Sequence, residues 1–295
     1  MATSVPNSKF SSHARSISLP SSHPLLASAE GQLQRLKSSE NASSSSHASA
    51  CQKLDGLKNL YECLDDVLQL PFSQQQILTH QRFGNWEEGI LDGSLRLLDI
   101  CSNVREIYSQ MKESVRELES SLRRKRNGEL AKEINTYMTS KKHLNKLISK
   151  CYKELKNCNL AVVNKDFETV PLVKLIKEVH EVSLVVMKST LSFVSPSKIG
   201  SQQRSRSLFS KLLVQHKSAS FEGDSDIAAI EKIDNDLHLL NINKKSNKDR
   251  DLQMQNLVKG LQALDCSIQK LTEVLEIVFR LLLKTRVSLL NILNN

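Results

Sequence analysis

Lysine is the residue whose number and spacing in this chain come closest to a binding chemistry. Between Arg123 and Lys156 stand eleven bases: Arg123, Arg124, Lys125, Arg126, Lys132, Lys141, Lys142, Lys146, Lys150, Lys153 and Lys156. Only Glu129, Glu133 and Glu154 oppose them, a net of +8 in a chain whose total is +9. At about 100° per residue, Lys132, Lys142, Lys146, Lys150, Lys153 and Lys156 fall within a helical stripe about 120° wide. Such a stripe attracts an anionic membrane surface or nucleic acid. Two plainer readings compete with it. A charged helix face is ordinarily just solvated. It is otherwise matched within the protein by residues 51–99, where Asp55, Glu62, Asp65, Asp66, Glu87, Glu88, Asp92 and Asp99 face only four bases. Nucleic acid is disfavoured, because aromatics are 4% and do not interleave with the bases. Arg123–Arg126 fits the C-terminal end of a helix dipole better than a nuclear-import patch.

Nucleophilic and metal chemistry find less support. The six cysteines, Cys51, Cys63, Cys101, Cys151, Cys158 and Cys266, include no CxxC pair. Cys151 and Cys158 stand one heptad apart on an apolar seam, where a reduced thiol acts as a small hydrophobe. Cys63 has Asp65 and Asp66 as neighbours, the wrong electrostatics for a thiolate, and Cys101 and Cys266 read as packing residues. The eight histidines are spread singly, with no ligand pair read at i,i+4 spacing, so no metal site is expected. His180 and His238 read as core or partly exposed residues of helices. No GxGxxG, Walker or GxSxG pattern occurs, so no cofactor and no small-molecule substrate is evident. The expectation is a protein that is not an enzyme, the alternative being an unrecognised enzyme built from residues distant in sequence. Ser16 and Ser18 after Arg15, Ser195 before Pro196, and Ser205 and Ser207 among arginines are candidate phosphosites, where about −2 of charge would alter docking.

The elements that must position these residues are helical. From Leu257 the apolar residues keep a 4-3-4-3 rhythm through Leu261, Leu264, Ile268, Leu271, Leu275, Val278, Leu282, Thr285, Leu289 and Ile292. One apolar seam on a helix from about Asp249 to Leu293, on the order of 65 Å long, must bury against other helices. Leu91, Leu95, Leu98, Cys101, Tyr108, Met111, Val115, Leu118 and Leu122 form a second seam. Leu130, Ile134, Tyr137, Lys141, Leu144, Ile148, Cys151, Leu155 and Cys158 form a third. Asn127–Gly128 between the last two predicts a turn and an antiparallel pair.

Elsewhere, Leu54, Leu57, Leu60, Leu64 and Val67 mark a helix from near Gln52 that Pro71 stops. Ser73 and Gln76 read as a capping box opening a short helix to His80. Arg82–Gly89 around Trp86 reads as a turn. A helix over Phe167–Val194 closes before Pro196, and one beginning at Asp224/Ser225 carries Ile227, Ile230, Ile233, Leu237 and Leu240. Residues 1–50, with sixteen serines, read as a largely disordered tail with a short helix after Pro24 showing Leu26, Ala29, Leu33 and Leu36 on one face. The expected organisation is an all-α, elongated antiparallel bundle of five to six main helices. Residues 51–194 form its first part, 195–224 a flexible basic linker, and 225–295 the helices that complete it.

Four stretches, taken together, resemble a plant family of unknown biochemical function, the one containing the BYPASS-type proteins. They are His13-Ala-Arg-Ser-Ile-Ser-Leu-Pro20-Ser-Ser-His-Pro24, Leu60-Tyr-Glu-Cys-Leu-Asp-Asp-Val-Leu-Gln-Leu-Pro71, Leu91-Asp-Gly-Ser-Leu-Arg-Leu-Leu-Asp-Ile-Cys101 with Gln110-Met-Lys-Glu113, and Phe279-Arg-Leu-Leu-Leu-Lys-Thr-Arg-Val-Ser-Leu-Leu-Asn-Ile-Leu293. The resemblance implies a role in root and shoot development and supplies no catalytic residue. It points to a non-enzymatic regulator or scaffold with unknown protein partners. The alternative is a peripheral membrane protein using the basic helix 123–158. No uncharged run spans a membrane and no secretory signal is read, so a cytoplasmic protein is expected. An acid-free, serine-rich start through Ala29 leaves plastid targeting open, as the basic run leaves the nucleus open.

Overall fold

The computed structural model describes residues 23–40, 47–81, 86–124, 130–158, 171–194, 225–242 and 247–294. Among these residues there are eight helices and no strand. They are α1 (Pro24–Glu40), α2 (His47–Leu68), α3 (Pro71–Gln81), α4 (Trp86–Arg123), α5 (Leu130–Asn157), α6 (Pro171–Val194), α7 (Ser225–Ile242) and α8 (Asn247–Leu293). The all-α expectation holds. The main helices expected are α2 and α4–α8, and α1 and α3 are the shorter ones read after Pro24 and up to His80.

The 4-3 rhythm of α8 sets the architecture. All eleven seam residues from Leu257 to Ile292 are buried, Thr285 among them. At 47 residues the helix is about 70 Å long, enough to line the whole bundle. Its partners are α2 and α4. Helix α2 runs parallel to α8: His47 meets the Ser267 carbonyl, Asp65 meets Lys284 at 2.8 Å, and Gln69 meets Ser288. Helix α4 runs antiparallel to α8. Arg116 pairs with Asp265 at 2.8 Å, Arg105 with Glu276, and Arg286 donates to Ser94 Oγ at 2.7 Å and to the Leu91 carbonyl. Helix α6 closes the ring antiparallel to α2, with Tyr61 Oη 2.9 Å from Ser183 Oγ and Lys53 donating to Ser189 Oγ. Tyr108 ties α4 to α6 by donating to the Thr190 carbonyl at 2.8 Å.

The other helices lie outside this ring. Helix α5 packs on α4, with Asn103 donating to Glu154 at 3.0 Å, and reaches α6 through Tyr152 and the Lys188 carbonyl. Helix α7 lies against α8, where a Cβ placed on Gly260 would stand 3.5 Å from Ile233, and meets α5 through Lys141–Asp234. Helix α1 covers α2 and α6, burying Leu26, Ala29, Leu33 and Leu36 as its pattern predicts.

Several boundaries differ from the sequence reading. The helix read after Pro24 runs on to Glu40, and α2 begins at His47 instead of near Gln52, so both reach into serine-rich stretches read as tail. Pro71 opens α3 instead of merely ending α2, because the first helical position needs no N–H donor and suits a fixed φ. Ser73 is therefore buried inside the first turn and is not the cap. Trp86, placed in a turn by sequence, is the buried first residue of α4, with Glu87 and Glu88 favourably in its first turn. Leu95 is 45% exposed; Ile90, Leu97, Leu98 and Cys101 carry the burial there. Cys266 is exposed, not packed. The six cysteines are free. The predicted tail before 23, the linker 195–224 and the Asn127–Gly128 turn lie outside the described residues.

Candidate functional site

Lys132, Lys142, Lys146, Lys150, Lys153 and Lys156 are all exposed on the outer face of α5. The burial of Leu130, Ile134, Tyr137, Leu144, Ile148 and Cys151 on the opposite face turns them outward. Among the described residues only Lys150 has a partner, Glu154 of its own helix at 3.8 Å. Lys141, read as part of the apolar seam, instead pairs sideways with Asp234 of α7. Lys132 to Lys156 covers about 36 Å of helix.

Among the described residues no acid of 51–99 pairs with this ridge. Glu62 pairs with Lys58, Asp65 with Lys284, and Asp92 with Arg96. Toward the C-terminal end of α8, Lys284 crosses to α2, Arg280 pairs with Glu276 of its own helix, and Arg286 binds α4. Asp65 is largely buried, and its contact raises the Lys284 pKa.

A second ridge escaped the sequence reading. Helix α4 turns Glu88, Asp92, Asp99, Glu106, Glu113 and Glu117 to its outer side, all exposed except the half-buried Asp92. At about 100° per residue they fall within roughly 60° of one another. Its signal in the sequence is Asp99, Glu106 and Glu113 at heptad spacing, which the net charge of a segment does not show. Glu88, Asp99, Glu113 and Glu117 form no ion pair or hydrogen bond among the described residues, while Glu106 accepts from Gln110 at 2.7 Å. An acidic ridge and a basic ridge therefore lie side by side on two antiparallel helices, about 8–10 Å apart by the usual interaxial distance.

Register brings their charges level. Asn103 meets Glu154, and one groove is lined by Ile107 and Met111 of α4 with Leu144 and Ile148 of α5. That alignment sets Lys156 opposite Asp99, Lys150 opposite Glu106, and Lys142 opposite Glu113. The ridges do not pair across, because each points away from the α4–α5 contact. The groove itself, ≈ 370 Å³ including open solvent, is mainly apolar. Asn145, Ser114 and Lys141 are polar groups in its wall.

The remaining reactive groups are mostly held inactive. Burial pushes the Cys101 and Cys151 thiols up to about 12, so neither offers a thiolate near neutral pH. Burial raises the Tyr61, Tyr108 and Tyr137 hydroxyls well above their usual range. His180 is enclosed in the core, its Nε2 without a partner, and burial lowers its pKa to about 4. His238 is exposed.

Reading the histidines as scattered misses one pair. His47 and Cys51 stand four apart on α2, with Sγ 3.2 Å from Nε2. The same Nε2 lies 3.0 Å from the Ser267 carbonyl, which can only accept, so that nitrogen carries the hydrogen. Its lone pair is then unavailable to take the thiol proton. Among the described residues no three His, Cys, Asp or Glu gather as a metal site, and no helix is long and apolar enough to cross a membrane. Ser16, Ser18, Ser195, Ser205 and Ser207 lie outside the described residues.

The family model described as Protein BPS1 matches residues 53–292. The chain belongs to that family, the plant BYPASS-type family of unknown biochemical function. No curated protein and no solved structure matches it.

Proposed function

From membership of that family and the surface just described, we propose that the protein serves root and shoot development without catalysis. It is a helical scaffold that docks unknown protein partners through the outer face of α4 and α5. The observation that carries this reading is the pair of exposed charged ridges, most of whose groups have no partner among the described residues, on the outside of a bundle whose buried thiols and phenols are held protonated. Fixed on rigid helices, such ridges favour complementary partners and penalise like-charged ones. The test is purification of tagged full-length protein from plant tissue. Wild type is compared with Lys142→Glu/Lys146→Glu/Lys150→Glu/Lys153→Glu at equal abundance. Proteins that depend on those lysines are expected to disappear from the variant; an unchanged set, or turnover of a small molecule by the pure protein, overturns the reading.

A second reading has one observation in its favour. All six lysines of the α5 ridge reach solvent, as adhesion to an anionic membrane surface in the cytoplasm requires. Co-sedimentation with vesicles rich in anionic lipid, lost in the same variant, supports that reading.

A further inference from the structure

We infer that the α4–α5 face docks onto a second copy of this chain. The two-fold axis lies along the helices, so that Lys142, Lys150 and Lys156 of one protomer meet Glu113, Glu106 and Asp99 of the other. This deepens the proposed scaffold function by naming a partner for the same surface.

Three observations lead there. The two ridges are adjacent, antiparallel and level, as the Asn103–Glu154 contact and the shared groove require. Within one chain the level charges stay apart: Lys142, Lys156, Asp99 and Glu113 have no partner among the described residues, Lys150 turns to Glu154, and Glu106 turns to Gln110. A two-fold axis parallel to the helices preserves level and exchanges left for right. The acidic ridge of one copy then lies over the basic ridge of the other. Each of the three pairings occurs twice, as an isologous interface demands.

The same geometry disfavours a uniformly anionic surface as the occupant. The six ridge lysines of α5 lie beside the six ridge carboxylates of α4, so the face as a whole is nearly neutral and strongly dipolar. The axes of the two helices lie about 8–10 Å apart, so a bilayer drawn to the lysines also meets the acids. Attraction to a plane of one sign largely cancels. Attraction to its own two-fold image adds. The overlap, roughly 36 Å long and about 20 Å wide, offers about 700 Å² on each protomer, close to a standard interface. It has no apolar anchor at its centre, so the dimer is weak and sensitive to salt.

Sedimentation velocity on the full-length chain at about 100 µM tests this, in about 25 mM and about 500 mM salt. Wild type is expected to dimerise at low salt and to weaken at least tenfold at high salt. Lys142→Glu/Lys150→Glu/Lys156→Glu and Asp99→Lys/Glu106→Lys/Glu113→Lys are each expected to stay monomeric with unchanged helicity and melting temperature. Mixed one to one, they are expected to associate, because at the three paired levels one then presents only acids and the other only bases. A monomeric wild type at low salt, a dimer indifferent to both reversals, or a mixture that fails to associate overturns the proposal. So does a monomer that sediments with phosphatidylserine vesicles through those lysines, which assigns the face to membranes. A monomeric wild type that still loses plant partners on charge reversal defeats this inference alone and leaves the scaffold reading standing.

Discussion

Protonating the buried imidazole of His180 is expected to destabilise the bundle. The side chain is enclosed in α6, and burial alone lowers its pKa from 6.5 to about 4. Because the folded value lies below the unfolded one, the stability this neutral histidine preserves is intact above about pH 7. It is lost as pH falls from about 6.5 to about 4, where the unfolded chain takes up a proton that the folded chain refuses. A gap of about 2.5 units corresponds to roughly 3 kcal/mol once both forms are protonated, and about 1.4 kcal/mol by pH 5.5. Urea unfolding at pH 7.5 and 5.5 measures this, with His180→Leu as the control that removes the titrating group. Wild type should lose about 1.4 kcal/mol more than the variant between those two conditions. Equal losses, or an imidazole that titrates near 6.5 in the native protein by NMR, would refute the burial argument.

Other consequences can be checked on the same purified protein. Thr285→Val should stabilise by roughly 1 kcal/mol in urea unfolding, since the Thr285 hydroxyl is buried without a partner in the α8 seam. Gly31→Ala in α1 should add about 0.5–1 kcal/mol by helix propensity, because a Cβ there meets nothing within 4 Å; a loss would mean that α1 packs differently. Exposed Cys266 should alkylate within minutes at pH 8 by mass spectrometry, while Cys101 and Cys151, each pushed up to about 12, should label only on unfolding.

What the sequence disclosed follows from how each feature is encoded. The α8 seam was legible residue by residue because a single 4-3 rhythm admits one buried face, and it held even at Thr285. The α4 seam was misplaced at Leu95 because that helix packs against α8 on one side and α5 on the other. Its buried arc is therefore wide and centred on Ile90, Leu97 and Cys101. Pro71 was read as a stop because a proline ends one helix and begins the next with the same chemistry. The lysine ridge was legible as a stripe, but its freedom from Asp55–Asp99 depended on which helices became neighbours. The acids at 99, 106 and 113 acquire meaning only when α5 runs antiparallel beside them in register. That is tertiary information. The His47–Cys51 contact needed α8 as well, since the Ser267 carbonyl decides which atom of the ring carries hydrogen.

The central claim is that the protein works through the charged face of α4 and α5. Its most direct test is rescue of plants that lack the protein, using Lys142→Glu/Lys150→Glu/Lys156→Glu expressed at the wild-type level. This variant is expected to fold normally and to fail to restore root and shoot growth. Full rescue by a stably accumulated variant would contradict it.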